Sequence, residues 1–162
     1  MNVVGVRPDE LAEAWPRVAL MLSDALARSG DAHTLTDVRQ SLEREESMLW
    51  LVMDADTAVA GLVSYVSDER SALTVWLLSG RSLDAWVGDV QPMLVRYARE
   101  HGLRYVDAYM RPGLAKRLQA HGWKTVQVIS RIEVDADERW RQGLETVGRT
   151  DSDLADRAAP VA

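Results

Sequence analysis

The 162-residue sequence has no cysteine and no phenylalanine. The first absence excludes disulfides, thiol nucleophiles and thiolate metal sites. The three histidines, His33, His101 and His121, show no ligand spacing, so no metal is expected. No stretch approaches the roughly 20 apolar residues of a bilayer crossing. Residues 1–5 lack the charged and apolar segments of a secretory leader. The expectation is a soluble, cytoplasmic protein with no membrane contact. With phenylalanine missing and tryptophan present six times, Trp and Leu must fill the large core positions. There is no internal repeat and no low-complexity block.

What is present suits one domain with one core. Apolar residues make up 47% of the chain, enough to bury a core without covalent staples. The net charge of −6 is unevenly spread. Residues 1–95 carry 7 basic and 15 acidic groups, residues 96–134 carry 8 and 3, and residues 135–162 carry 4 and 7. The basic middle segment suits an anionic ligand. The overall acidity argues against duplex nucleic acid as a partner.

Periodicity gives the order of elements. Residues 3–7 read as a short strand. A helix follows, begun by Pro8 and carrying Leu11, Trp15, Val18, Leu22 and Leu26, with Pro16 inside it and Gly30 at its end. Thr36 is placed to cap a second helix through about residue 45. Residues 48–53, 58–66 and 72–78 read as three strands joined by polar turns, hence an antiparallel meander. Gly61 marks a bulge or a close approach. Ser82 caps a long helix bearing Leu83, Trp86, Val87, Val90, Leu94, Tyr97 and His101, interrupted by Pro92 and ended by Gly102. Residues 105–110 form a strand. Arg111-Pro112-Gly113 opens a short helix ended by Gly122, and residues 123–134 read as the last strand. The helical crossover between residues 78 and 105 demands parallel pairing or a long return, and the two strands are expected adjacent and parallel.

That order resembles the GNAT acyltransferase superfamily over about residues 3–134. It is most similar to small GNAT-like proteins encoded by bacteriophages. The stretches that carry the resemblance are Asp37-Val38 with Leu49-Trp50-Leu51-Val52, Leu77-Leu78-Ser79-Gly80 with Leu83-Asp84-Ala85-Trp86, and Arg111-Pro112-Gly113-Leu114-Ala115. It implies an α/β fold of the α+β type. A mostly antiparallel sheet of six or seven strands would be flanked by about four helices. It also implies transfer of an acyl group from acetyl-CoA or another acyl-CoA to an amine, on a small molecule or a protein.

In the family, a glycine-rich run before the third helix offers backbone N–H groups to the pyrophosphate. The matching stretch here is Gly80, Arg81, Ser82 and Leu83, with one glycine, so these four are the candidate cofactor residues. A plain helix cap with a tight turn explains the same stretch. The family's general-acid tyrosine, four residues before the glycine of the short helix, corresponds to Leu118, which exchanges no proton. Tyr105 and Tyr109 share a face of the preceding strand. Tyr109, nearer its end, is the candidate replacement acid, against an ordinary half-buried strand tyrosine. Arg111 opens a helix, where a cation gains nothing from the dipole. It therefore points either to an anionic substrate group or to a salt bridge.

The alternative function is a catalytically degenerate GNAT-fold phage protein, serving as a virion component or interaction scaffold. Residues 135–162 read as a helix-capable or disordered tail, with Trp140, Leu144 and Val147 as an apolar stripe if helical. The tail would join the chain to another copy or to a phage protein partner. Location follows function, in the host cytoplasm or the virion.

Overall fold

The computed structural model describes residues 1–30 and 32–130. Residues 1–124 form one compact unit, and residues 125–130 belong to a second. The residues expected to form a tail, 135–162, lie outside the described residues.

Five strands form one sheet in the order β1 (Asn2–Val6), β2 (Met48–Asp54), β3 (Thr57–Ser67), β4 (Ala72–Gly80) and β5 (Tyr105–Ala108). The first four pair antiparallel, and β5 runs parallel to β4 from Ala72↔Tyr105 to Val75↔Ala108. The crossover between them is helical, as the parallel pairing demands.

Among the described residues the four α-helices are α1 (Leu11–Ser29), α2 (Leu35–Glu43), α3 (Leu83–Glu100) and α4 (Pro112–Leu118). On one face of the sheet, Val18, Leu22 and Leu26 of α1 and Val38 and Leu42 of α2 bury against Leu49, Leu51, Val63 and Leu77. On the other, Trp86, Val87, Val90 and Leu94 of α3 and Leu118 of α4 cover Trp50, Val52, Leu62, Leu73 and Val75. Each fully buried aliphatic side chain contributes about 1.5–3 kcal/mol. The Trp50 indole N–H enters the core because it donates to the buried Ser64 hydroxyl at 2.8 Å. Gly61 is a close approach: a Cβ there would lie 3.2 Å from Val18 Cγ1 on α1.

Several expectations are corrected. The cap of α2 is Thr34, not Thr36. Its backbone N–H and hydroxyl donate to Asp37 Oδ2 at 2.6 and 2.7 Å, and Asp37 N–H donates back to the Thr34 hydroxyl at 3.2 Å. Ser82 stands at the N-cap of α3 but in the left-handed region, φ 53°, and its hydroxyl caps nothing. Pro16 does not move the start of its helix, since α1 begins at Leu11 and runs through it, as α3 runs through Pro92.

The sheet has five strands among the described residues, not six or seven. Residues 123–130 form no ladder, and Val126 and Val128 are 83% and 77% exposed. Strand propensity without a paired neighbour and a buried face makes no strand. Gly122, at φ 87°, ends the preceding turn, and Trp123 N–H donates to Leu118 C=O at 3.2 Å.

Candidate active site

Beyond Val75 the two parallel strands part. Tyr109 N–H donates to Val75 C=O at 3.1 Å, the final bond between them, while β4 continues to Gly80 against β3 alone. At this point β4 carries a bulge. Val63 pairs with Leu77 and Ser64 with Val75, leaving Trp76 as the extra residue. The bulge reverses the alternation, so Val75 buries on the α3 face and Leu77 on the α1 face. A small apolar crevice of about 30 Å³ lies on the α3 side of the split. Leu78, Ala108, Met110, Trp86 and Leu118 are among its walls. The one polar wall residue, Gln91, is spent on the protein itself. Its amide donates to His121 C=O at 3.0 Å and accepts from the Trp123 indole at 3.1 Å. The crevice therefore suits apolar atoms rather than a charged group.

The N-terminus of α3 opens beside it. The Trp86 indole donates to Arg81 C=O at 2.7 Å and ties the loop to the helix. The Arg81 N–H, expected to be free for a phosphate, donates to Val59 C=O at 3.2 Å. The N–H groups of Ser82 and Leu83 have no acceptor among the described residues, and the Arg81 side chain is exposed. Leu83 sends its side chain into the core, 7% exposed, and lines the crevice. Gly80 has a structural reason to be glycine. A Cβ there would collide with Ala60 and come within 2.8 Å of Val59 O. In the first turn of α3, Asp84 accepts from Arg117 at 2.7 Å, with His121 Nε2 3.9 Å away. A phosphate at this helix end would meet two free amides, one exposed guanidinium and the neutralised Asp84. This arrangement fits an acyl-CoA in part: apolar atoms have a crevice, but the glycine-rich cradle is absent.

Tyr109 lies on the other face of the sheet. The two-residue repeat of β5 puts Tyr105, Asp107 and Tyr109 together, and Tyr105 and Tyr109 are 54% and 43% exposed. Asp107 pairs across to Thr74, and Thr74 to Tyr65. Asp107 also meets Arg70 at 3.5 Å. Burial, and next the neighbouring Tyr109 hydroxyl, push the Tyr65 phenol up. No pattern in the sequence marked Tyr65, and Asp107, expected on the face opposite Tyr105 and Tyr109, shares theirs because the spacing is two. Strand alternation would have revealed Asp107; Tyr65 needed the register of β3 on β4. Arg111 is exposed at the N-cap of α4, with no ion pair among the described residues. Leu118 is core, 3% exposed. Gly80 to Leu83, Tyr109 and Arg111 thus all follow the C-terminal ends of the two parallel strands, the usual place for a ligand in such a sheet. Tyr109 and the crevice occupy opposite faces. Among the described residues, no group of three or more His, Asp or Glu side chains could hold a metal ion. No described helix is long and apolar enough to cross a membrane.

No protein-family model and no curated protein matches the chain. Solved structures do. A ribosomal-protein-alanine N-acetyltransferase from Brucella melitensis biovar Abortus 2308 superposes with a TM-score of 0.59 at 10% identity, covering 82% of this chain and 99% of that one. An aminoglycoside acetyltransferase from an uncultured soil metagenomic sample, in complex with sisomicin, gives 0.57 at 10% identity, covering 82% and 96%. A predicted acetyltransferase from Clostridium acetobutylicum, with acetyl-CoA, gives 0.58 at 8% identity, covering 82% and 96%. The chain has the fold of the GNAT acetyltransferases.

Proposed function

We propose that the protein is an acyl-CoA-dependent N-acyltransferase that moves an acyl group from the thioester to an amine. The observation that carries this reading is the split between β4 and β5. It sets an apolar crevice beside the unpaired Ser82 and Leu83 amides of α3, in a fold shared with a structure that holds acetyl-CoA. In this reading Ser82, Leu83 and Arg81 receive the pyrophosphate, and Gly80 serves by letting β3 and β4 close up. Tyr109 donates a proton to the departing thiolate, and Arg111 meets an anionic group of a substrate. The acceptor is a small-molecule amine or a protein amine.

The test is a thermal shift with acetyl-CoA. A ligand bound only by the folded state stabilises it by about 2.7 kcal/mol at a hundredfold excess over Kd. Arg81→Glu puts a carboxylate where the pyrophosphate would sit and is expected to abolish the shift. An unchanged shift in that variant removes Arg81 from the site. No shift in the unaltered protein removes the reading.

A second reading, a GNAT-fold scaffold without catalysis, draws on two observations. Gly80 is accounted for by strand packing, and the position of the family's tyrosine is the core residue Leu118. In that reading residues 1–134 are the domain, and residues 135–162 are a tail that binds another copy or a phage protein. Truncation after Val134 would then leave the fold intact and lower the assembly state in light scattering.

A further inference from the structure

We infer that the crevice at the β4–β5 split is the pocket for the acyl chain, and that Trp123, held in place by Gln91, sets the length it admits. The substrate class is then a short, unbranched, uncharged acyl group of two or three carbons. The inference rests on the transferase reading and deepens it.

Three observations carry it. The crevice lies at the fork: its walls include Val75 and Ala108, the last pair of the β4–β5 ladder, and Leu78 and Met110, which follow them along the chain. It is also small and apolar. A water-sized group needs about 10–15 Å³, so about 30 Å³ admits a methyl or an ethyl group and little more. Every wall residue but Gln91 is apolar, and both ends of the Gln91 amide are occupied. A charged or hydroxylated chain would lose its water there without gaining a partner. Finally, Trp123 is fixed. Gln91 lies on the buried stripe of α3, between Val87 and Leu94, where a polar side chain needs a reason. Its amide accepts from the Trp123 indole at 3.1 Å and donates to His121 C=O at 3.0 Å. The Trp123 backbone N–H donates to Leu118 C=O at 3.2 Å, just after the turn at Gly122. Leu118 and Trp123 both wall the crevice.

Trp123 is half-buried and tied at both its backbone and its ring. It cannot swing aside without leaving the indole N–H and the Gln91 amide unpaired, which is costly in a part-buried place. The wall is therefore stiff, and a longer chain meets Trp123 rather than displacing it. Inside the pocket each added methylene raises affinity about fourfold. Past the wall it gains nothing, and the chain is forced back toward the split.

The experiment uses the full chain and needs no acceptor in its first arm. Calorimetric titration compares CoA, acetyl-CoA, propionyl-CoA and hexanoyl-CoA. In the unaltered protein affinity is expected to rise from CoA to propionyl-CoA and to fall at hexanoyl-CoA. Trp123→Ala opens the wall and is expected to tighten hexanoyl-CoA about tenfold or more, with CoA itself unchanged. Gln91→Ala, which frees the indole, is expected to act in the same direction and more weakly. Ala108→Val fills the crevice from β5 and is expected to abolish the gain from acetyl to propionyl. Thermal unfolding is recorded for each variant, and Trp123→Leu replaces Trp123→Ala if the latter does not fold. The second arm measures CoA release from the same thioesters with benzylamine, spermidine and glycinamide, where kcat/KM is expected to follow the same order of chain lengths. A chain-length profile unaltered in the Trp123 and Ala108 variants overturns this inference alone. An unaltered protein that binds none of the thioesters overturns the transferase reading, and the acyl pocket with it.

Discussion

Asp84 in the first turn of α3 accepts a hydrogen bond from Arg117 of α4 at 2.7 Å. Both side chains are more than half exposed, at 70% and 54%. The pair therefore adds little stability, about 0–1 kcal/mol. Its consequence is electrostatic. It offsets a carboxylate standing at the helix end proposed to receive a pyrophosphate. Asp84→Asn removes that charge and releases Arg117. Affinity for CoA is expected to rise several-fold, with a steeper salt dependence, while the melting temperature barely moves. Calorimetric titration at two salt concentrations checks this; equal affinities would place the anion elsewhere.

Gly80 gives a sharper mutational signature. Gly80→Ala forces a methyl against Ala60 and the Val59 carbonyl at the end of the β3–β4 ladder. Overpacking of this kind costs typically 1–3 kcal/mol. Urea denaturation is expected to show that loss whether or not CoA is present. A variant of normal stability that fails to bind CoA would instead make Gly80 a cradle residue.

Gly88 is the opposite case. It sits on the exposed side of α3, and a Cβ there meets nothing within 4 Å. Gly88→Ala is expected to stabilise the protein by about 0.5–1 kcal/mol by removing backbone freedom from the unfolded chain. Thermal unfolding measures it. A loss of stability would mean that this surface of α3 is covered in the native protein.

The start of α2 has a pH dependence of known sign. The Thr34 hydroxyl and then its backbone N–H, both donating to the Asp37 carboxylate, hold that carboxyl below its ordinary 3.8. A depressed folded-state pKa stabilises the helix above the unfolded value and is lost as pH falls through the folded one. Amide exchange in the first turn of α2 is therefore expected to quicken as pH drops below about 4. Asp37→Asn should remove that dependence. The same pH response in the variant would assign it to another carboxylate.

The sequence made the helices legible wherever their apolar spacing was sustained. Val18, Leu22 and Leu26 mark the buried stripe of α1, and Trp86, Val87, Val90 and Leu94 that of α3. It also fixed the parallel partnership of β4 and β5, since a helical crossover permits little else. The cap of α2 was within reach: Thr34 and Asp37 stand three apart, the spacing of a capping box, although Thr36 drew the assignment. The last strand was misread because Val126 and Val128 alternate correctly, and alternation is silent about whether a neighbour exists to pair with.

What the sequence determined by itself is the local layer: the order of the helices, which stripe each buries, and that cysteine chemistry is excluded. These follow from backbone sterics and side-chain spacing within a few residues. Tertiary structure alone decided the site. The extra residue Trp76 sends Leu77 to the other side of the sheet from Val75, a shift visible only against β3. Gly80 owes its identity to Ala60 on a neighbouring strand, and Tyr65, Thr74 and Asp107 line up across two strand pairings. Each of these depends on register between distant segments. Register is set by how faces pack and where ladders slip, which no spacing within one segment encodes.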